Sequence, residues 1–291
     1  EACILGVDMA TQKHEGRRMI GYCPQFDCLW PKLTVYETLS IYAALRGFTG
    51  AHAERAIENQ LYGLQLTDYR NRRAGTLSGG NKRKLSVAIA LIGQPPVLFL
   101  DEPSTGMDPV ARRFMWTVIQ DIADAQKDVV VVLTTHSMDE ASALCERIAI
   151  QVDGSFRCLG TSQQIKDLHG SGYEVNIKFA SPVDARNQDN IIQDRVNEFD
   201  EFFKNYTSNS DDNVSVGGQN AHQMPQPEIT GLSATFIVNV STSNVGNLMR
   251  ELERKCSADL VSDWSVSQVT LERVFNKFAM QSENSGVTED S

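Results

Sequence analysis

The sequence has no long hydrophobic run. Its apolar runs are short, as in Val97 to Leu100 and Val129 to Leu133. A helix needs roughly 18 to 20 consecutive apolar residues to cross a bilayer, so no segment of this sequence is predicted to span a membrane.

The sequence also lacks an excess of positive charge. Its 27 Lys and Arg residues face 37 Asp and Glu residues, which gives a formal net charge of −10. Residues 1–170 carry 18 basic and 19 acidic residues, and residues 171–291 carry 9 and 18. A near-neutral segment is therefore followed by an acidic one. This distribution argues against a nucleic-acid-binding protein, which would present a broad basic surface.

Paired cysteines are absent as well. The six cysteines form no Cys-x-x-Cys pair and no His/Cys cluster at zinc spacing: Cys3, Cys23, Cys28, Cys145, Cys158 and Cys256. Such scattered residues indicate reduced thiols in a cytosolic protein rather than a disulfide framework.

The 291 residues suffice for two domains. In the first half, Val97 to Leu100 and Val129 to Leu133 are short and branched enough to be buried strands covered on both faces. A helix lies between them, with Asp108 as its N-cap and Pro109 at its first position. These elements predict a βαβ unit, and hence an α/β domain.

Capping and turn patterns predict further elements. Thr34-x-x-Glu37 and Ser137-x-x-Glu140 are capping boxes that each begin a helix. Asp153-Gly154 is a turn pair that predicts a hairpin within residues 147–159.

After Gly170, apolar residues alternate with polar ones from Tyr173 to Phe179, as in a strand with one solvated face. We predict domains over residues 1–170 and 171–280. A flexible insertion is predicted over residues 207–229, and a disordered tail over 281–291.

Two adjacent carboxylates, Asp101 and Glu102, directly follow the first buried strand. Charged groups at the edge of a core need a metal ion or a hydrogen-bonding partner, and ligands of open α/β sheets bind at the carboxyl ends of strands. We therefore expect Asp101 to hold Mg²⁺ through water and Glu102 to orient or deprotonate an attacking water. Taken alone, the pair would fit a helix-capping pair after a strand better than a metal site.

Other polar residues follow strands or begin helices. Ser78, Gly79 and Gly80 open a helix whose backbone N–H groups would suit an anion. His136 follows the second strand, where its imidazole could donate to a phosphate oxygen. Gln25, which follows Pro24, could reach a metal-bound water through its amide. Each has an ordinary structural explanation in isolation.

Together these residues form a known series: Gln25, Ser78 to Asn81, Asp101, Glu102, Asp108 and His136. The chain resembles the nucleotide-binding domain of ABC transporters, with Q-loop, LSGG signature, Walker B, D-loop and switch histidine at family spacing. Two segments are similar in sequence to the A subfamily of lipid exporters, in particular to its second nucleotide-binding domain: LSGGNKRKLS at Leu77 to Ser86 and DEPSTGMDP at Asp101 to Pro109. Residues Ser265 to Phe275 resemble that subfamily's regulatory domain.

The resemblance implies an α/β fold: an incomplete P-loop NTPase domain of the ABC type with a helical subdomain, followed by a small α/β regulatory domain. It implies ATP and Mg²⁺ as ligands and ATP hydrolysis as the activity. Glu102 and His136 would be catalytic, and Asp101 and Gln25 would hold the metal. The implied nucleotide-binding residues are Gln25, Ser78, Gly79, Gly80 and Asp108.

The Walker A motif is missing from the sequence. Its Gly-Lys-Ser/Thr ending occurs nowhere, and only 24 residues precede Gln25. Family members carry this motif several tens of residues before the Q-loop. We therefore expect the sequence to be a fragment or a shortened gene product, and the isolated chain to be inactive, because the motif supplies the main phosphate contacts.

The resemblance also implies partners. A second ABC nucleotide-binding domain would face this one head to tail, and coupling helices of a transmembrane domain would contact Phe26 to Trp30. The chain would then sit at the cytosolic face of a membrane only through its parent transporter. One alternative is a non-catalytic regulatory polypeptide that lends its signature in trans. Another is a soluble ABC ATPase of DNA repair type, which predicts heptads and basic stripes that the sequence lacks.

Overall fold

A computed structural model describes residues 2–125, 129–170, 172–180, 188–209, 226–240, 244–256 and 260–286. The chain divides into two compact units, Glu1–Cys145 and Glu146–Ser291.

The first unit contains a parallel sheet and a group of helices. Its elements are β1 (Cys3–Ile4), β2 (Val7–Asp8), α1 (Lys13–Arg18), β3 (Ile20–Cys23), α2 (Val35–Leu45), α3 (Gly50–Gly63), α4 (Gly79–Leu91), β4 (Val97–Asp101), α5 (Pro109–Ala125), β5 (Val130–Thr134) and α6 (Met138–Leu144), with short 3₁₀ helices at Thr67–Tyr69 and Ala74–Thr76.

Strands β3, β4 and β5 form the parallel sheet, in that order. Their register pairs Cys23 with Leu100 and Asp101 with Thr134. All three strands run in one direction, so their carboxyl ends meet at one edge of the sheet. The predicted βαβ unit is therefore confirmed as β4–α5–β5.

Local sequence explains the helices around this sheet. Thr34 and Glu37 form both hydrogen bonds of the capping box that begins α2. Helix α4 packs beside β3 and β4 and is buried along most of its length. Gly21 in β3 permits this close approach, because a Cβ there would lie 2.2 Å from the Ala90 carbonyl oxygen.

The prediction that the second strand is covered on both faces is wrong. Val130 and Val132 in β5 are 53% and 44% exposed, whereas Leu98 and Leu100 in β4 are buried. Strand β4 lies in the middle of the three strands, and β5 lies at an edge. A run of valines predicts a strand but does not reveal how many neighbours the strand has.

The second unit begins with a hairpin and continues into a four-stranded sheet. Its elements are β6 (Ile148–Val152), β7 (Ser155–Gly160), α7 (Ser162–His169), β8 (Tyr173–Phe179), α8 (Gln188–Asn209), β9 (Glu228–Thr230), β10 (Ser233–Val238), α9 (Val245–Lys255), β11 (Val261–Gln268) and α10 (Leu271–Gly286). The hairpin β6–β7 turns at Asp153 and Gly154, both with positive φ, as predicted.

The four-stranded sheet is antiparallel, in the order β11-β8-β10-β9. The succession β8-α8-β9-β10-α9-β11 with this order is the split βαβ arrangement of ferredoxin-like folds. Helices α8 and α9 bury their apolar stripes against one sheet face, in a core that contains Phe179, Phe199, Phe203, Phe236 and Leu252. The predicted alternating strand from Tyr173 to Phe179 is confirmed as β8.

The described residues shift three predicted boundaries. The compact units divide after Cys145 rather than after Gly170, because α10 packs against α7 and β6. Both ends of the predicted 207–229 insertion belong to regular elements. Helix α8 extends to Asn209, and β9 begins at Glu228, where it pairs with β10. Helix α10 includes residues 281–286 of the predicted tail. The remaining parts of both segments, residues 210–225 and 287–291, lie outside the described residues.

Within the part of the chain that the structure describes, no helix is both long and apolar enough to cross a membrane.

Candidate functional site

The carboxyl ends of β4 and β5 bring together three polar side chains predicted to be functional. Asp101 is the last residue of β4, Glu102 follows it, and His136 lies two residues beyond β5. The backbone N–H of Glu102 donates to the Thr134 carbonyl oxygen at 3.0 Å, which ties the turn after β4 to the end of β5. The predicted cluster of Asp101, Glu102 and His136 therefore forms at one sheet edge.

Glu102 and His136 are in direct contact. The Nδ1 atom of His136 lies 2.7 Å from Oε2 of Glu102, and the Thr105 hydroxyl donates to the same oxygen at 2.7 Å. The carboxylate is 15% exposed and the imidazole 76% exposed. A Glu carboxylate held by two donors beside an accessible imidazole can act on a proton at this edge.

The backbone of Glu102 adopts an uncommon conformation. Its φ of +52° lies in the left-handed region, which a non-glycine residue occupies at a cost of about 1 to 3 kcal/mol. The contacts made by the rest of the turn must offset this cost. In this conformation the carboxylate lies 2.7 Å from Nδ1 of His136.

Asp101 carries the oxygen chemistry that suits Mg²⁺. Its Oδ1 atom accepts a hydrogen bond of 2.5 Å from the Thr134 hydroxyl, which fixes the carboxylate at the sheet edge. Among the described residues, no three His, Cys, Asp or Glu side chains cluster as a protein-only metal site. Mg²⁺ is commonly held by one or two carboxylates together with substrate phosphates, and Asp101 fits that kind of site.

The Ser78, Gly79 and Gly80 turn begins helix α4, as predicted. The Ser78 hydroxyl accepts from the Asn81 backbone N–H at 3.3 Å and thereby caps the helix. A Cβ added at Gly79 would meet no atom within 4 Å, and at Gly80 it would make only ordinary contacts. Neighbours within the described chain therefore do not require glycine at these two positions. Their surface is open to an external group.

Asp108 is the predicted N-cap of α5. Its Oδ1 atom accepts from the backbone N–H groups of Val110 and Ala111, each at 3.0 Å. The hydrogen bond from Ala111 contributes most to lowering the pKa of Asp108, and the one from Val110 lowers it further. The helix cap is a sufficient explanation for this carboxylate.

Gln25 lies two residues after β3, at the carboxyl end of the remaining strand of the parallel sheet. Its side chain is exposed, and its backbone carbonyl oxygen accepts from Arg83 at 3.2 Å. Arg83, in α4, also donates to the backbone carbonyl oxygens of Asp101, Glu102 and Pro103. Sequence reasoning missed this residue, because Lys82-Arg83-Lys84 resembles an ordinary solvated charge run.

The segment after Gln25 presents aromatic side chains. Phe26 is 77% exposed and Trp30 is 48% exposed, although Trp30 stacks on Tyr42 of α2 with ring centroids 6.0 Å apart. An open groove of about 320 Å³ is lined by Trp30, Lys32, Leu33 and Ile41. Trp30 therefore combines packing on the following helix with surface exposure.

Comparison with known proteins decides the family. The sequence profile described as "ABC transporter" matches residues 3–105. Over 282 residues, 97% of this chain, the sequence is 41% identical to the human retinal-specific phospholipid-transporting ATPase ABCA4. It is also 39% identical over 279 residues, 96% of the chain, to the human phospholipid-transporting ATPase ABCA3. Residues 3–105 carry an ABC transporter domain, and the chain is similar over nearly its whole length to transporters of the A subfamily.

The ABC transporter domain and the residues after it make up a small part of those relatives. This chain spans 11% of the length of ABCA4 and 15% of the length of ABCA3. The identity covers both compact units, so the ferredoxin-like unit is part of what these proteins share.

Solved structures support the ABC fold. One reported as the ATP binding subunit of an ABC transporter superposes with a TM-score of 0.52 at 27% identity, covering 57% of this chain and 69% of that one. The structure of cbiO1 from Clostridium perfringens gives a TM-score of 0.51 at 20% identity over 56% of this chain and 66% of that one. The predicted P-loop NTPase class, with an α/β ABC domain, is thereby confirmed.

Proposed function

We propose that this chain is the ATP-hydrolysing portion of an A-subfamily transporter that moves phospholipid across a membrane. The contact between Glu102 and His136, beside Asp101 at the same sheet edge, is the observation that carries the proposal. The similarity to proteins named phospholipid-transporting ATPases supports the lipid as cargo.

In this proposal each residue has a separate task. Glu102 orients or deprotonates the attacking water, and His136, held at 2.7 Å from that carboxylate, donates to a phosphate oxygen. Asp101 and Gln25 hold Mg²⁺, which when bound neutralises charge on the phosphates. Ser78, Gly79 and Gly80 present helix N–H groups to a nucleotide.

The open surface at Gly79 supports a second partner. In the proposed assembly, another ABC domain binds head to tail, so that this signature turn contacts nucleotide held by that domain. The groove beside Trp30 supports contact with coupling helices of a transmembrane part, because it is apolar and open. Attachment at the cytosolic face of the membrane then follows from the assembly.

The absence of Gly-Lys-Ser/Thr from the sequence sets a limit on the isolated chain. Positioning and charge stabilisation account for nearly all of phosphoryl-transfer catalysis, and that motif supplies much of both. We therefore propose that the 291-residue chain alone binds ATP weakly and does not turn it over. Micromolar affinity for fluorescent ATP with Mg²⁺ would contradict this.

The test is reconstitution of the complete transporter that carries this domain into phospholipid vesicles. We expect ATP-dependent phospholipid translocation and lipid-stimulated hydrolysis, and the loss of both in His136→Ala. His52→Ala is the matched control, because His52 is an exposed histidine on α3 away from the strand ends. Hydrolysis stimulated by DNA and indifferent to lipid would instead favour the soluble DNA-repair class.

The open signature turn supports one second candidate. A regulatory polypeptide would lend Ser78 to Gly80 to a partner's nucleotide site without hydrolysing ATP itself. Mixing the 291-residue chain with a complete ABC domain distinguishes the two: only the regulatory candidate predicts faster hydrolysis that is lost in Ser78→Ala and retained in Glu102→Gln.

A further inference from the structure

The guanidinium of Arg83 is the centre of an unusual hydrogen-bond arrangement. Its side chain is 4% exposed, and its nitrogens donate to five backbone carbonyl oxygens. An arginine has five N–H donors, so the side chain is fully used. These acceptors are the carbonyls of Pro24, Gln25, Asp101, Glu102 and Pro103.

The five carbonyls belong to two separate segments. Nη1 donates to Pro24 at 2.6 Å and to Gln25 at 3.2 Å, which are in the Q-loop. Nη2 donates to Asp101 and, at 2.8 Å, to Glu102. One rigid guanidinium therefore spans the backbone of both segments, and neither can shift without losing a charge-assisted hydrogen bond.

A second contact ties the Q-loop to the same helix. Asp27 lies 3.6 Å from Nη1 of Arg83, and its Oδ1 atom accepts a 2.8 Å hydrogen bond from the Ser86 hydroxyl. Asp27 also balances part of the arginine's buried charge, which would otherwise be costly in the core. The Q-loop is thus held from α4 by both backbone and side chain.

The three carbonyls that Arg83 contacts in the second segment lie at and around Glu102, whose backbone is strained. Glu102 has a φ of +52°, and Arg83 holds the carbonyls before, at and after this position: Asp101, Glu102 and Pro103. Such strain persists where surrounding contacts over-determine the backbone. Arg83 supplies three of those contacts and so helps aim the Glu102 carboxylate toward His136.

We propose that Arg83 is a positioning residue that couples the conformation of the Q-loop to the placement of the Asp101 and Glu102 carboxylates. Displacement of the segment around Gln25 pulls on the guanidinium and thereby on the turn that carries Glu102. This inference rests on the proposed function only for its catalytic consequence; the structural coupling stands on the contacts alone.

The first test measures backbone hydrogen exchange in the full 291-residue chain. Arg83→Gln is expected to accelerate exchange roughly 10- to 100-fold in both residues 23–28 and residues 101–105, because it removes several hydrogen bonds to a charged group. Arg83→Lys keeps the charge but lacks the planar fork, so its effect should be intermediate in both segments.

Two further variants separate coupling from general loss of stability. Ser86→Ala is expected to loosen residues 23–28 and to leave residues 101–105 unchanged, since it removes only the bond to Asp27. Arg46→Gln is the matched control, because Arg46 donates to the carbonyls of Arg18 and Ile20 at the opposite end of β3. Its effect should be confined to residues near 18–20.

Several outcomes would overturn the proposal. Acceleration in only one of the two segments would show that Arg83 does not couple them, and uniform acceleration across Glu1–Cys145 would show a merely structural role. If Arg83→Gln does not fold, the exchange rates of Arg83→Lys in the same two segments decide the question. Equal exchange in Arg83→Lys and wild type would then count against the proposal.

The second test uses steady-state hydrolysis by the complete transporter. Arg83→Lys is expected to lower kcat about 10- to 100-fold while the KM for ATP stays within about twofold, since misplacement of a catalytic group affects the chemical step. A change in KM alone would contradict the proposal. If the wild-type transporter hydrolyses no ATP, the proposed function fails, whereas the exchange pattern still decides the coupling.

Discussion

A hydrogen bond between Trp116 and Glu140 joins two helices of the first unit, α5 and α6. The indole Nε1 donates to Oε1 of Glu140 at 2.9 Å, and Glu140 is only 1% exposed. Helix α6 begins at Met138, two residues after His136, so this bond also supports the chain next to the imidazole. We predict that Trp116→Phe is strongly destabilising.

The magnitude follows from the burial of the carboxylate. A hydrogen bond to a charged group contributes about 1.5 to 3 kcal/mol, and loss of the donor leaves a buried charge without that partner. Trp116→Phe should therefore lower the free energy of unfolding by about 2 to 3 kcal/mol. In a Glu140→Gln background the lost bond is neutral and the cost should fall to about 1 kcal/mol. The double-mutant cycle should thus give a coupling of about 1 to 2 kcal/mol.

The assay is urea unfolding of the 291-residue chain in a Trp264→Phe background, so that tryptophan fluorescence reports on the first unit. Tyr62→Phe is a suitable control, because Tyr62 is 84% exposed on α3 and its change should stay within about 0.5 kcal/mol. A coupling below about 0.5 kcal/mol would refute the assignment of a charge-assisted bond between Trp116 and Glu140.

Three further predictions concern the parallel sheet. Leu98→Ala should destabilise the first unit by about 2 to 5 kcal/mol in urea unfolding, because Leu98 is buried in the central strand. Leu45→Ala, on the exposed face of α2, should not destabilise it in this way. Equal effects of the two substitutions would contradict the described core. Burial raises the pKa of the Cys23 thiol to about 11, so at pH 8.5 alkylation followed by mass spectrometry should modify exposed Cys28 well before Cys23. Since the thiol of the unfolded chain ionises near pH 9, Cys23 should also make stability decline between about pH 9 and 11, and Cys23→Ala should remove that decline. Equal labelling rates would show that Cys23 is accessible.

Much of the local structure follows from short-range signals. The Thr34 and Glu37 capping box, the Asp153-Gly154 turn and the alternation from Tyr173 to Phe179 each correctly predict an element. These signals depend on hydrogen bonds and side-chain periodicity within a few residues, which the sequence displays directly.

The long-range features were not predictable in the same way. Strand β3 has four residues that include Gly21, so it shows no clear alternation, and its place is visible only beside β4 and α4. The antiparallel order β11-β8-β10-β9 depends on pairing between distant segments. Local periodicity carries no information on which strand pairs with which.

The candidate site shows the same division. Residues at strand ends, such as Asp101, Glu102 and His136, are recognisable because the carboxyl ends of parallel strands meet. Arg83 is not, because its neighbours Lys82 and Lys84 are also basic. Only the orientation of α4 shows that this guanidinium faces the backbone of two loops.

The central claim is that Glu102 acts on the attacking water in ATP hydrolysis. The most direct measurement compares ATP binding and hydrolysis by the complete transporter with and without Glu102→Gln, using Glu146→Gln at an exposed position as control. We predict that the Glu102 variant retains ATP binding while hydrolysis falls about 10²- to 10⁴-fold, as expected for loss of a general base, and that the control is unchanged. Unaltered hydrolysis in Glu102→Gln would contradict the account.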